Sequence, residues 1–299
     1  MAKMASLGDM KNTGTINSTA YVTQLSSVGT LTNEGTIASS KQIAISATGD
    51  LVNAGTMKGT QLLSVASGGN LTTRKGSNTV SDGQLAVSAN NIDNSGAMRG
   101  NITYVEFSGD KLKVTGELRG HSTLTVQSKK DDKVNSGLIY NTGSISGNDV
   151  TIITNGNLDQ EGNIIGQNSL SIKTNVLDNV YYIYGKSLNI ESNYVRNRAT
   201  IDGYNNTISA ANGILNEGQI SASGDLTLNT LNHANITNYN TIKANGSLTM
   251  TTGTVKNGGY RCGFLNLATC GKGSISANKL VLNSYHNYAS EMGGQQQYK

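Results

Sequence analysis

Few residues in this chain have types and spacings that could do chemistry. Cys262 and Cys270 are its only cysteines. Two thiols are too few for a structural zinc site, and no histidine lies close to them in sequence. They can close a short disulfide loop, as suits a secreted protein, or stand as two separate thiols. His121, His233 and His286 are scattered, fit no metal-ligand spacing, and read as surface or turn residues. There is no phosphate-cradling loop, no Gly-x-Ser-x-Gly elbow and no Ser-His-Asp order. One pair keeps a catalytic reading open. If Asp159 and Asp178 stood side by side at about 5 Å, they could act as acid and base, or acid and nucleophile, on a polysaccharide. Arg196 then falls in the same place once more, so Asp-Asp-Arg reads better as a charge ladder in which the arginine relieves repulsion. No catalytic residue, metal or cofactor is assigned, and the chain is not read as an enzyme.

Tyrosine carries the remaining signal. Eleven of the 13 tyrosines lie from Tyr140 onward, and only Tyr21 and Tyr104 precede it. A tyrosine ring buries a large rigid area while its hydroxyl still bonds, which favours it at binding surfaces. The candidates are Tyr182, Tyr184, Tyr194, Tyr204, Tyr239 and Tyr260, with Phe264 beside the cysteines. Some rings could instead fill the core. Alternation sends neighbouring Tyr181 and Tyr182 to opposite sides.

The elements that must position these residues are set by repetition. Leu31-Thr32-Asn33-Glu34-Gly35-Thr36-Ile37 returns as Leu51-Val52-Asn53-Ala54-Gly55-Thr56-Met57 and as Ile214-Leu215-Asn216-Glu217-Gly218-Gln219-Ile220. With the glycine of each copy as register mark, thirteen coils follow, with marks from Gly14 to Gly259. Tyr181, Ala199, Asn240 and Lys75 stand at marks that lack glycine. The residue four before the mark is apolar in all thirteen, and the residue two after is apolar in eleven, with Ser77 and Arg261 as exceptions. Asparagine stands two before the mark in ten, where stacked side chains can bond to one another. A second alternating segment follows in most coils, such as Ile43-Ala44-Ile45 or Leu226-Thr227-Leu228. Gly-Asn-Asp corners such as Ser223-Gly224-Asp225 let the chain bend between them. A period of about 20 residues built from short strands predicts an all-β fold, a parallel β-helix of about thirteen coils.

Composition agrees. The 299 residues include no proline or tryptophan, and 14% are charged. A net charge of +4, spread along the chain, forms no nucleic-acid stripe. No run approaches the ~20 apolar residues that span a bilayer, so no bilayer insertion is expected. Met1–Met10 lacks the apolar core of a signal peptide, which reads as a fragment of a longer chain carrying no targeting signal of its own. Ser128–Val134, with its lysines and aspartates, reads as a loop extruded from a corner, solvated or binding. The expected organisation is one continuous solenoid: regular repeats over 1–138, then a decorated, tyrosine-rich stretch with a cysteine loop over 139–299.

The repeated phrase L-x-N-x-G-x-I, a polar corner, then L-x-I-x-A, resembles the filamentous haemagglutinin repeat of bacterial two-partner-secretion exoproteins. It runs from Met10 to about Val255 and is strongest over Leu31–Met57 and Ile214–Leu228. The resemblance implies a right-handed β-helix and an extracellular place on the bacterial surface for the parent protein. The family includes adhesins and the effectors of contact-dependent growth inhibition (CdiA-type proteins), in which a repeat region carries a receptor-binding segment. It therefore implies a recognition module that binds an outer-membrane protein or glycan of a target cell, or else a passive structural shaft.

The cysteine reading is tested directly. Alkylation of oxidised, non-reduced protein should label neither Cys262 nor Cys270 in intact mass, and two labelled cysteines would overturn the bridge.

Overall fold

The computed structural model describes residues 1–231, 233–258, 260–262, 268–270 and 273–284; of 260–262, 268–270 and 284 it gives the backbone alone. All regular structure in these residues is β-strand. Two compact units, Met1–Gly156 and Asn157–Lys299, are each a parallel β-solenoid. Together they hold about thirteen coils spaced about 20 residues apart, as the repeat predicts.

A coil has three strands. In unit 1 one coil runs Leu31–Asn33, Thr36–Ser39, Gln42–Ala47. Each strand pairs in parallel with its counterpart one coil on, as Leu31 with Leu51, Thr36 with Thr56, and Gln42 with Leu62. The L-x-N phrase is the first strand, and the mark glycine is the corner between first and second. A Cβ on Gly55 would lie 2.0 Å from the Gly35 carbonyl oxygen, so the coils stack too closely there for a side chain on it.

Alternation along each strand sends every second residue inward. The third strands of unit 1 stack Leu25, Ile45, Val65, Val87, Val105, Val126 and Ile152 as one column, each at most 1% exposed. In unit 2 the second strands stack Ile164, Ile183, Ile201, Ile220, Ile242 and Ile275. β-branched residues suit this pleated setting, which is buried throughout except at Ile275. Each such side chain contributes on the order of 1.5–3 kcal/mol of transfer free energy, largely offset by ordering the backbone.

The asparagines form a buried ladder, as their spacing suggests. In unit 2, Asn179 donates to Asn197 Oδ1 (2.8 Å), Asn197 to Asn216 (2.8 Å), Asn216 to Asn238 (2.7 Å) and Asn238 to Asn257 (2.8 Å). A further bond from each amide reaches a backbone carbonyl at the start of the second strand one coil on: Asn197 to Gln219 O (3.0 Å), Asn216 to Thr241 O (2.9 Å). In unit 1, Asn12, Asn33 and Asn53 repeat the pattern, and Asn53 hands on to Thr79 Oγ1 (2.9 Å).

The two exceptions to the apolar strip have one cause, which is extra residues at the first–second corner. After Thr73 the chain makes a wider corner through Gly76, at φ 84°. Ser77, not Lys75, then holds the mark's place, and Thr79 is the inward residue between Met57 and Met98. Similarly, Ile275 rather than Arg261 continues the isoleucine column, so residues 259–272 are an insertion between Asn257 and Gly273. Within it, Tyr260–Cys262 pairs antiparallel with Ala268–Cys270; Cys262 faces Ala268 and Cys270 faces Tyr260. The cysteine side chains, and with them the expected bridge, lie outside the described residues.

Asn216→Leu tests the ladder. It removes three ladder bonds, from Asn197 Nδ2, to Asn238 Oδ1 and to Thr241 O, at about 1 kcal/mol each. Urea or thermal denaturation should show a loss well above that of the outward Thr227→Ala. Equal stability of the two variants would mean that the ladder contributes little.

Candidate functional site

Unit 2 collects the candidate residues on the outside of its first and second strands. Register places Asp159 beside Asp178, and Asp178 beside Arg196, as the repeat demands. The ion pairs differ from the expected ladder. Arg198, at the corner beyond the strand, grips Asp178 with both prongs of its guanidinium (Nε–Oδ1 2.9 Å, Nη2–Oδ2 2.5 Å). Arg196 instead reaches forward to Glu217 (Nε–Oε2 2.8 Å), which strengthens its hold on its proton. The reason is geometric. Side chains in one parallel column stand side by side, whereas a residue two further along approaches a carboxylate end-on, as a planar fork requires. Both oxygens of Asp178 are thus engaged by Arg198.

None of the described candidate tyrosines enters the core. Ile183 points inward at 0% exposure, so Tyr182 and Tyr184 on either side of it point out. Their rings are nearly parallel, 7° apart, with centroids 6.4 Å from each other. Partial burial, with the Asp202 carboxylate nearby, holds the Tyr182 phenol above its ordinary value. Tyr181 does not alternate with Tyr182 between inside and outside. The mark position is a corner, and Tyr181 is 54% exposed there. Tyr194 lies two residues before Arg196 on the same outward face. Burial raises its phenol pKa, which Arg196 opposes, and its electrostatic neighbours include Glu217, Asp178 and Tyr239. Tyr239 follows the ladder residue Asn238 at the same first–second corner, its N–H bonded to Asn216 O (2.7 Å).

These residues therefore converge. Tyr181, Tyr182, Tyr184, Tyr194 and Tyr239 line one corner and its two flanking faces, interleaved with the Arg196–Glu217 and Arg198–Asp178 pairs. The insertion bearing Tyr260 and Phe264 leaves from this same corner, between Asn257 and Gly273, although the side chain of Tyr260 and all of Phe264 lie outside the described residues. Tyr204 is set apart. It is 52% exposed at the second–third corner, with its ring against Gly224. The sequence reading overlooked Arg198 and Glu217, although corner position and outward parity were there to find them.

Unit 1 has its own polar features. Tyr104 donates to Glu106 (2.7 Å) and meets Gln127 from the next coil; burial, with the Glu106 carboxylate, pushes its phenol up to about 12. The Ser128–Val134 segment is indeed extruded. It is a hairpin pairing Lys129 with Val134 and Lys130 with Lys133 around Asp131 and Asp132. Among the described residues no helix is long and apolar enough to cross a membrane.

No curated protein and no solved structure matches the chain. The haemagglutinin repeat pattern does, over residues 6–75, 58–101, 111–162, 123–180 and 192–284. These spans include the ladder phrases, Tyr194, Tyr204, Tyr239 and the cysteine insertion, whereas Tyr181, Tyr182 and Tyr184 fall between two of them. Matched over most of its length by a repeat that its coils follow strand by strand, the chain belongs to the filamentous haemagglutinin repeat family.

Proposed function

We propose that this chain is a recognition segment of a secreted, surface-exposed haemagglutinin-repeat protein, and that the tyrosine-lined corner of unit 2 contacts an outer-membrane protein of a neighbouring cell. The observation that carries the reading is the placement of Tyr181, Tyr182, Tyr184, Tyr194 and Tyr239. The interior of the solenoid is complete without them, yet they gather on one corner with two arginines. Tyrosine and arginine dominate binding hot spots because both present large, pre-organised surfaces with hydrogen-bonding ends. The charges there are already paired from coil to coil, so binding at this corner rests on ring contact and hydroxyl bonds rather than on long-range attraction. The family is one of structural and adhesive repeats, which supports display on a surface. Adhesion and contact-dependent inhibition both use such display. The other reading is a passive shaft, favoured by the unbroken ladders beneath the decorated corner.

Fluorescently labelled chain should bind target cells. Because Tyr182 and Tyr184 point outward, Tyr182→Ala and Tyr184→Ala should melt like the parent, yet bind with affinity lowered by about thirtyfold if either ring is an anchor. Thr36→Ala, in unit 1, should bind like the parent. Unchanged binding by both well-folded tyrosine variants would move the site off this corner. A parent that binds no cell would leave the shaft.

A further inference from the structure

Asparagine is followed by glycine at Asn155-Gly156, Asn212-Gly213, Asn245-Gly246 and Asn257-Gly258. Such a pair has a chemistry of its own. With no Cβ on the glycine, its backbone nitrogen can reach the Cγ of the asparagine before it. The nitrogen bonds to Cγ, and its proton leaves with the side-chain amide as ammonia, which closes a five-membered imide. Water then opens the ring at either carbonyl, giving aspartate or isoaspartate. Ring closure needs a glycine N–H able to give up its proton and an asparagine side chain able to turn. Hydrogen bonds to either group oppose it.

Three of the pairs are held. Gly156 N–H donates to Thr154 Oγ1 (2.9 Å), and Asn155 Nδ2 to Val134 O (2.8 Å). Gly246 N–H donates to Gly224 O one coil back (2.8 Å). Gly258 N–H donates to Asn238 O (3.1 Å), and Asn257 Oδ1 accepts the last bond of the buried ladder (2.8 Å). Asn212 differs. It is exposed, and among the described residues its side chain bonds to nothing. The Gly213 N–H closes only its own surface turn, to Ala210 O at 3.3 Å, the longest of the four glycine bonds. Gly213 stands at φ 121°, where glycine alone is unstrained. Only this turn has to open for the ring to close, and a surface turn opens at small cost.

The place also tolerates its product. Asn212 lies at a third–first corner, two residues before the strand Ile214–Asn216, so the extra backbone carbon of isoaspartate leaves that strand's parity intact. One coil back, Asn193 donates to Asn175 (2.7 Å), and Asn175 donates to Asn157 (3.2 Å), an outer row of neutral amides. Asn212 follows Asn193 through its own N–H, bonded to Asn193 O (2.6 Å). Tyr194 lies alongside, since a Cβ built on Gly213 would be 3.8 Å from its Cε2.

We propose that Asn212 is a self-modification site, where water converts this amide, through an imide with Gly213, to aspartate and isoaspartate as the protein ages, setting a charge beside Tyr194. It does not depend on Tyr194 binding anything. The test incubates the full chain in mildly alkaline buffer, folded and in urea. The four pairs are followed by peptide mapping with fragmentation that separates aspartate from isoaspartate. In the folded chain Asn212 should convert about fivefold or more faster than each of the others, the factor that one further hydrogen bond to open gives. Its rate should rise with pH, because the glycine nitrogen attacks once its proton is lost. In urea the four rates should draw together. Asn212→Gln, whose longer side chain closes a ring reluctantly, should melt like the parent and give no product at 212. An unmodified Asn212, or another pair converting as fast in the folded chain, would overturn the proposal. So would the same order and ratio of rates in urea, which would assign the preference to local sequence.

Discussion

Each coil of this protein is held by what the next coil puts in the same place. A buried asparagine amide has two N–H groups and one carbonyl, and it is costly to bury unless they are bonded. Asn197 meets that demand through Asn179 and Asn216, directly beneath and above it, and through the Ala199 and Gln219 carbonyls. The backbone makes the same demand, since the strands pair with the neighbouring coil and not within their own. The repeat is thus a physical requirement: a slip of one residue would turn the isoleucine columns outward and strand the amides.

That requirement governs where variation can occur. Extra residues inside a strand would reverse its faces, whereas extra residues at a corner leave the parity of the next strand intact. The three insertions obey this. The two added residues near Gly76 and the segment 259–272 enter at first–second corners, and the 128–135 hairpin at a third–first corner. Outward positions are equally free, and there the two units differ. Unit 1 carries small and polar residues over much of its outer surface, whereas unit 2 gathers tyrosines and crossed ion pairs at one corner. A structure so constrained inside can change its surface chemistry without changing its fold, which is the property a recognition scaffold needs.

Electrostatics follows the same logic on a smaller scale. Lys11–Glu34, Arg99–Glu117, Lys173–Glu191 and Arg196–Glu217 each link one coil to the next. Such exposed pairs contribute little individually. Their effect is to leave charge locally matched along the outside, consistent with contacts made through rings and hydroxyls.

The sequence by itself determined the solenoid, its period, the inward columns and the asparagine ladder, because each is a periodic demand that every coil must state again. Leu31 and Leu51, or Asn33 and Asn53, could be placed side by side from spacing alone. It also marked the places where the pattern breaks. What replaced the pattern there was decided by tertiary structure. Spacing put Arg196 beside Asp178, but the preferred approach of a guanidinium gave that carboxylate to Arg198. Lys75 and Arg261 had the right count but the wrong place, because corner length is not fixed by the strands it joins. Tyr194 and Tyr239 are separated along the chain and came within electrostatic reach of each other only through stacking. The 128–135 hairpin is bonded to residues far from it in sequence, through Asn135 to Ser108 O and through Asn155 to Val134 O. Periodic burial can be read from one dimension; the direction of a side chain at a corner depends on neighbours that the sequence keeps about 20 residues away.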